Sequence, residues 1–147
     1  MKKSLLALSA SVVLAVPVTV VARDTTHYLD FQSVVQAAIA DGQIDGTVKF
    51  YLKGQRVPGK VAKTFAEAVS NKKTNAFGKT DEVACDWALR SVLVSFQENA
   101  KKNGANAVVD LVSYYRKSEH ADPAKFECHA GTAVAGVAMK GRAAIVK

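Results

Sequence analysis

The segment between Thr80 and Gly104 carries the strongest helical pattern in the sequence. Thr80 is a good helix cap, two acidic residues follow it at the positive end of the helix dipole, and Gly104 comes just after two lysines. Apolar residues recur every three or four positions and form one stripe: Cys85, Ala88, Leu89, Val92, Phe96 and Ala100. We expect a helix that buries this stripe, with Trp87 on its flank.

Shorter patterns precede this helix. Residues 31–39 have the spacing of a short amphipathic helix, and residues 47–53 alternate like a strand with one buried face. Residues 61–69 suit a strand or a helix about equally, and we favour a strand. Residues 71–80 are polar and rich in turn-forming residues, so we expect a connection there.

Two further strands are predicted after the helix, at 106–117 and 126–139. We expect them to form a hairpin, with Ala107, Val109 and Leu111 on one face of the first strand. A polar connector that contains a proline joins the two strands. The predicted fold is therefore α+β, with one main helix packed on a small antiparallel sheet, plus a short N-terminal helix.

The two cysteines, Cys85 and Cys128, are predicted to form a disulfide. Phe126, Cys128 and Ala130 share one face of their strand, because side chains alternate along a strand. The helix must cover the apolar face of the hairpin, so Cys85 on its buried stripe faces Cys128. A bridge that closes a loop of about 43 residues contributes about 4 kcal/mol in the chain-entropy model.

Residues 1–22 have the pattern of a cleavable secretory signal peptide. Lys2 and Lys3 precede an apolar run, and cleavage is expected after Ala22. The alternative is an uncleaved anchor, but the run is short for a membrane core about 30 Å thick and contains a proline. We expect a single domain at 23–147, located in the periplasm or secreted, where a disulfide can persist.

Basic residues are concentrated between the first predicted strand and the main helix. The formal charge is +7, and removing Lys2 and Lys3 lowers it to +5. In an exported protein such a basic surface favours anionic envelope components or an envelope protein as partners, and not nucleic acid. Scattered solvated lysines are the alternative. The predicted basic surface comprises Lys49, Lys53, Arg56, Lys60, Lys63, Lys72, Lys73 and Lys79.

The segment Ala100–Val109 (AKKNGANAVV) resembles the end of the helix and the following strand in a small bacterial family described as heavy-metal-binding. It also resembles the Rcs envelope-stress sensor lipoprotein, and a group of exported proteins of which some are labelled excinuclease ATPase subunit. The resemblance covers about residues 61–140. It implies a helix packed on a small antiparallel sheet, and homo-oligomers in the first family. This chain differs from the Rcs sensor in having two cysteines and no lipid-attachment cysteine.

An ATPase is not predicted, because no complete phosphate-binding loop is present. Gly54–Lys60 supplies the first seven positions of that motif, but Val61 stands where a magnesium-binding hydroxyl is needed, and Pro58 lacks an amide hydrogen.

We assign no catalytic residue, metal ligand or cofactor. No nucleophile motif occurs, and His129 points away from Cys128 on the same strand. The candidate ligands lack zinc-site spacing, although Glu127 and His129 can share a strand face. These candidates are His27, His120, His129, Cys85, Cys128, Glu119, Asp122 and Glu127. The sequence predicts an exported, non-enzymatic binding or envelope-associated accessory protein, with a metal-binding or envelope-stress-sensing module as the alternative.

Overall fold

The computed structural model describes residues 14–18 and 22–147. Most of the predicted signal peptide therefore lies outside the described residues. Its cleavage after Ala22 stays a prediction. The described elements are β1 (Thr25–Asp30), α1 (Phe31–Ala40), β2 (Lys49–Leu52), β3 (Val61–Asn75), α2 (Asp81–Lys102), β4 (Ala107–Ser113), β5 (Lys125–Ala130) and β6 (Val134–Val146).

β6 is the central strand of one six-stranded sheet. β3 pairs with one edge of β6 along nearly its whole length. β5 and β4 pair with the other edge at its two ends, and β1 and β2 extend the sheet beyond β5 and β4. The fold is thus mixed α/β as expected, but the sheet is larger than the small sheet predicted.

The sheet is also not purely antiparallel, because β2 runs parallel to β4. A parallel pair needs a long crossover, and here β3 and α2 supply it. The predicted hairpin between 106–117 and 126–139 is wrong. The second of these segments divides into β5 and β6, which pair with each other, and β4 lies against β6 and β2.

α2 has the ends that the sequence predicts. The Thr80 side chain accepts a hydrogen bond from the Val83 amide, and Gly104 has a φ of +66° just beyond the helix. A residue just after a helix often adopts this left-handed backbone conformation, which glycine takes up without steric cost. The expected stripe is buried, from Cys85 to Ala100, and it packs on the sheet.

The region after Val61 is a strand, as favoured, but the strand is longer than expected. It continues to Asn75, through polar residues predicted to form a connection. Most of its side chains are exposed because β3 is an edge strand, so neither apolar periodicity nor burial marks it. The backbone hydrogen bonds between β3 and β6 hold this segment in a strand instead.

A bulge in β4 corrects the predicted face of that strand. Asp110 has a φ of +54°, and the register with β6 shifts between Val109 and Val112. An inserted residue reverses the alternation of side chains. Ala107 and Val109 therefore belong to a small cluster on the outer face, whereas Leu111 belongs to the main core beneath α2.

Cys85 and Cys128 form the predicted disulfide, with their Cα atoms 5.8 Å apart. Phe126, Cys128 and Ala130 all lie on the buried face of β5, as the parity argument requires. The bridge joins α2 to the sheet through the centre of the core. Within the described part of the chain, no helix is both long and apolar enough to cross a membrane.

Candidate functional site

A cleft of about 420 Å³ lies where α1 passes the open edge of β2. We call it the edge cleft. Its walls come from one flank of α1, from β2 and from the loop after β2. The lining residues are Gln32, Val35, Gln36, Ile39, Val48, Lys49, Phe50, Tyr51, Gln55 and Arg56. Its size falls within the usual range for a small-molecule site.

The local sequence explains the form of the edge cleft. Side chains alternate along β2, so Phe50 and Leu52 are buried in the core while Lys49 is exposed, and Val48 just before the strand is also buried. β2 ends in a turn in which the Gln55 side chain accepts the Leu52 amide hydrogen at 2.8 Å. This contact holds the loop, and with it Arg56, beside the strand.

The charges that line the edge cleft are all positive. Lys49 and Arg56 are both exposed, and neither forms a salt bridge with a carboxylate in the described part of the chain. Three glutamine amides, from Gln32, Gln36 and Gln55, add neutral hydrogen-bonding groups. The cleft can therefore attract an anion and hydrogen-bond to hydroxyl groups.

The remaining residues of the predicted basic surface are spread over the molecule. Lys53 lies by a charged depression of about 260 Å³ with Glu67 and Glu119, and Lys73 lies near the start of β1. Lys63 lies over the Phe65 ring at 4.8 Å from its centroid. The other three positions are also scattered: Lys60 lies beside the C-terminal residue, Lys72 lies on β3, and Lys79 donates to the Asn75 carbonyl.

The charged depression has its own internal pairs. Lys140 contacts Glu119 and lies 3.4 Å from Glu67. Its hydrogen bond with Glu119 raises the pKa of Lys140 and lowers the pKa of Glu119. The acids and bases here neutralise one another, so this depression offers less net charge to a ligand than the edge cleft.

A second group of polar residues surrounds His129. Nε2 of His129 lies 2.5 Å from Glu127 Oε1, and Nδ1 lies 3.1 Å from Asp24 Oδ1. The Tyr115 ring stacks on the imidazole with centroids 3.4 Å apart. The sequence placed Glu127 and His129 on one face, but Asp24 and Tyr115 are brought in only by the fold.

His27, His120 and His129 do not converge on a shared metal site in the structure. The two carboxylates contact opposite nitrogens of the His129 ring, so the three groups do not converge on one point. His27 instead bonds Asp81, 2.8 Å away, and His120 packs against Tyr28. Across residues 14–18 and 22–147, no group of three or more histidine, cysteine, aspartate or glutamate side chains could hold a metal ion.

No family model matches this chain, and no curated protein or solved structure is significantly similar to it. The resemblances based on Ala100–Val109 therefore stay predictions. In the structure that segment forms the end of α2, the turn at Gly104 and the start of β4.

Proposed function

We propose that this chain is an exported, non-enzymatic binding protein whose edge cleft takes an anionic saccharide of the cell envelope. Two features support export. The N-terminal sequence has the pattern of a signal peptide, and both cysteines of the chain are joined in a disulfide. Such bonds persist in oxidising compartments.

The charge of the edge cleft is the observation that carries the proposal. Lys49 and Arg56 lie in one concave site, away from compensating carboxylates within the described chain. A guanidinium and an ammonium group attract a carboxylate or phosphate, and amides and a tyrosine hydroxyl suit neutral hydroxyls. An acidic saccharide presents both kinds of group. A flat membrane surface would not enter a concave site of this kind.

The experiment compares two pairs of charge reversals. Lys49→Glu with Arg56→Glu alters the edge cleft, whereas Lys63→Glu with Lys79→Glu changes the same charge elsewhere on the surface. Binding of the purified protein to acidic envelope glycan fragments is measured by calorimetry at 50 and 300 mM salt. We expect the cleft pair to abolish binding and the control pair to keep it, with affinity falling as salt rises.

Equal weakening by both pairs would contradict the proposal, since it would show that total positive charge and not the cleft governs binding. A metal-binding or stress-sensing module is the alternative that the sequence raised. A saturable rise in melting temperature with one divalent metal, together with no glycan binding, would favour that alternative.

A further inference from the structure

A second concave surface lies on the opposite flank of α1, where α1 meets α2. We call it the acidic groove, and its volume is about 530 Å³. Its floor is apolar and is formed by Leu29, Val34, Val83 and Trp87. Val83 and Trp87 are four residues apart on α2, so they share one flank, and their side chains are 45% and 44% exposed. A half-exposed tryptophan beside a half-exposed valine is an apolar surface open to a ligand.

The rim of the acidic groove is negative. Four carboxylates line it, those of Asp30, Asp41, Glu82 and Asp86, against one cation, Arg90. The Arg90 side chain is only 10% exposed, and it is engaged by Asp41 at 2.5 Å and by Asp86 at 2.6 Å. A surplus of negative charge on a chain whose formal charge is +7 sets this surface apart from the rest of the molecule.

Three of the four carboxylates are held in place by hydrogen bonds or ion pairs: Asp30 by Ser33, and Asp41 and Asp86 by Arg90. The Ser33 hydroxyl and amide both donate to Asp30, and these hydrogen bonds lower its pKa. Arg90 also donates to Gln43 at 2.9 Å, so it ties α2 to the turn after α1. The groove is therefore formed before a ligand arrives, and little ordering entropy opposes binding.

We infer that the acidic groove binds a cationic, amphipathic polypeptide segment of a partner protein. An apolar side chain of the segment packs on Val83 and Trp87, and its lysine or arginine side chains pair with Glu82 and Asp30. Charge complementarity carries this assignment, because an anionic or purely apolar segment would leave the rim carboxylates unpaired. The net positive charge of the molecule repels such a segment elsewhere, which directs it to the groove.

Trp87 is the only tryptophan in the chain, so its emission reports on this groove alone. The probe is a 14-residue amphipathic peptide of leucine and lysine, and the comparison peptide has glutamate in place of lysine. We expect the lysine peptide to shift the Trp87 emission to the blue in a saturable way. The glutamate peptide should leave the emission unchanged.

Two variants with matched chemistry sharpen the test. Glu82→Lys reverses a charge at the rim, and Glu98→Lys reverses an exposed charge on the same helix away from the groove. We expect Glu82→Lys to weaken peptide binding at least tenfold and Glu98→Lys to change it less than twofold. Circular dichroism checks the fold of both variants. The Trp87→Ala variant should also lose peptide binding. Because this variant has no tryptophan, its binding is measured by the fluorescence anisotropy of a labelled peptide.

The inference is overturned if both peptides bind equally, if Glu82→Lys binds like the unchanged protein, or if no lysine peptide binds at 1 mM. It is also overturned if Trp87 emission changes only with protein concentration while dimers form, because a second copy would then occupy the groove. The Lys49→Glu and Arg56→Glu pair should bind the peptide normally, so failure here is distinct from failure of the glycan site.

Discussion

The two flanks of α1 carry concave surfaces of opposite charge. The edge cleft on one flank is lined by Lys49 and Arg56, and the acidic groove on the other has four carboxylates at its rim. α1 itself contributes glutamines to the first surface, and the residues at its two ends, Asp30 and Asp41, to the second. The basic residues of the edge cleft come from β2 and the loop after it, and the other two carboxylates of the acidic groove come from α2.

One short helix thus separates two concave surfaces of unlike charge. The walls also differ in how they are held. α2, which forms one side of the acidic groove, is tied to β5 by the disulfide and to the turn after α1 by Arg90. β2, which forms one side of the edge cleft, is paired on one edge only. We expect the groove to depend on these links more than the cleft does.

Removing the disulfide should have the largest effect. Cys85→Ala with Cys128→Ala is expected to lower the free energy of unfolding by about 4 kcal/mol, because the open chain regains loop entropy. Urea denaturation measures the loss, and the reduced natural protein serves as the control. Hydrogen exchange should rise more in α2 than in β2. A loss below about 1 kcal/mol, or equal exchange in both elements, would contradict the comparison.

Replacing Arg90 should have the next largest effect. Arg90→Met leaves Asp41 and Asp86 without their shared cation, and we expect a loss of about 2 kcal/mol, because the nearly buried guanidinium also donates to Gln43 and methionine replaces none of these contacts. Lys101→Met is the control, because Lys101 pairs with Asp45 where both side chains are close to half exposed. That variant should lose much less. Similar losses in both variants would argue against a structural role for Arg90 in the groove.

The contact between β1 and the start of α2 should make stability depend on pH. The Arg23 guanidinium, and then His27, hold the pKa of Asp81 well below its usual value of 3.8. A lowered carboxyl pKa stabilises the folded state above pH 4, and this stabilisation disappears as the pH falls further. Asp81→Asn should therefore flatten the decline in urea midpoint between pH 5 and pH 2.5.

The control for Asp81→Asn is Glu98→Gln, which removes an exposed carboxyl with no described salt bridge. It should leave the pH dependence unchanged. If Asp81→Asn retains the full decline below pH 4, other carboxyl groups govern the acid stability of this region.

Replacing Trp87 should have the smallest effect on stability. Trp87→Gln is expected to change the free energy of unfolding by no more than about 0.5 kcal/mol, because the indole is close to half exposed. Chemical denaturation followed by circular dichroism measures this. A loss of 2 kcal/mol or more would show that Trp87 belongs to the core, and it would remove the main apolar part of the proposed binding surface.

Much of the fold was predictable where local patterns are strong. The ends of α2, its buried stripe and the buried face of β2 follow from helix capping, from three-to-four spacing and from alternation. The pairing of Cys85 with Cys128 was also correct, although the predicted hairpin around it was wrong. That inference needed only the parity of β5 and a helix above the sheet, and both hold.

The candidate sites were less predictable. Eight basic residues formed one predicted surface, but only Lys49 and Arg56 meet in a single cleft, because the rest lie on other strands and loops. No sequence pattern indicated the acidic groove. Its four carboxylates come from two distant parts of the chain, residues 30 and 41 at the ends of α1 and residues 82 and 86 on α2, and the two pairs become neighbours only when α1 packs beside α2.

The sequence by itself determined the helices, the predicted signal peptide pattern and the disulfide partners, since each depends on neighbouring residues or on their periodicity. The tertiary structure alone decided the six-stranded sheet, the extension of β3 to Asn75 and the bulge at Asp110. These depend on which strands pair, and pairing joins residues that are distant along the chain through backbone hydrogen bonds that every residue can make. The two oppositely charged flanks of α1 follow from that packing.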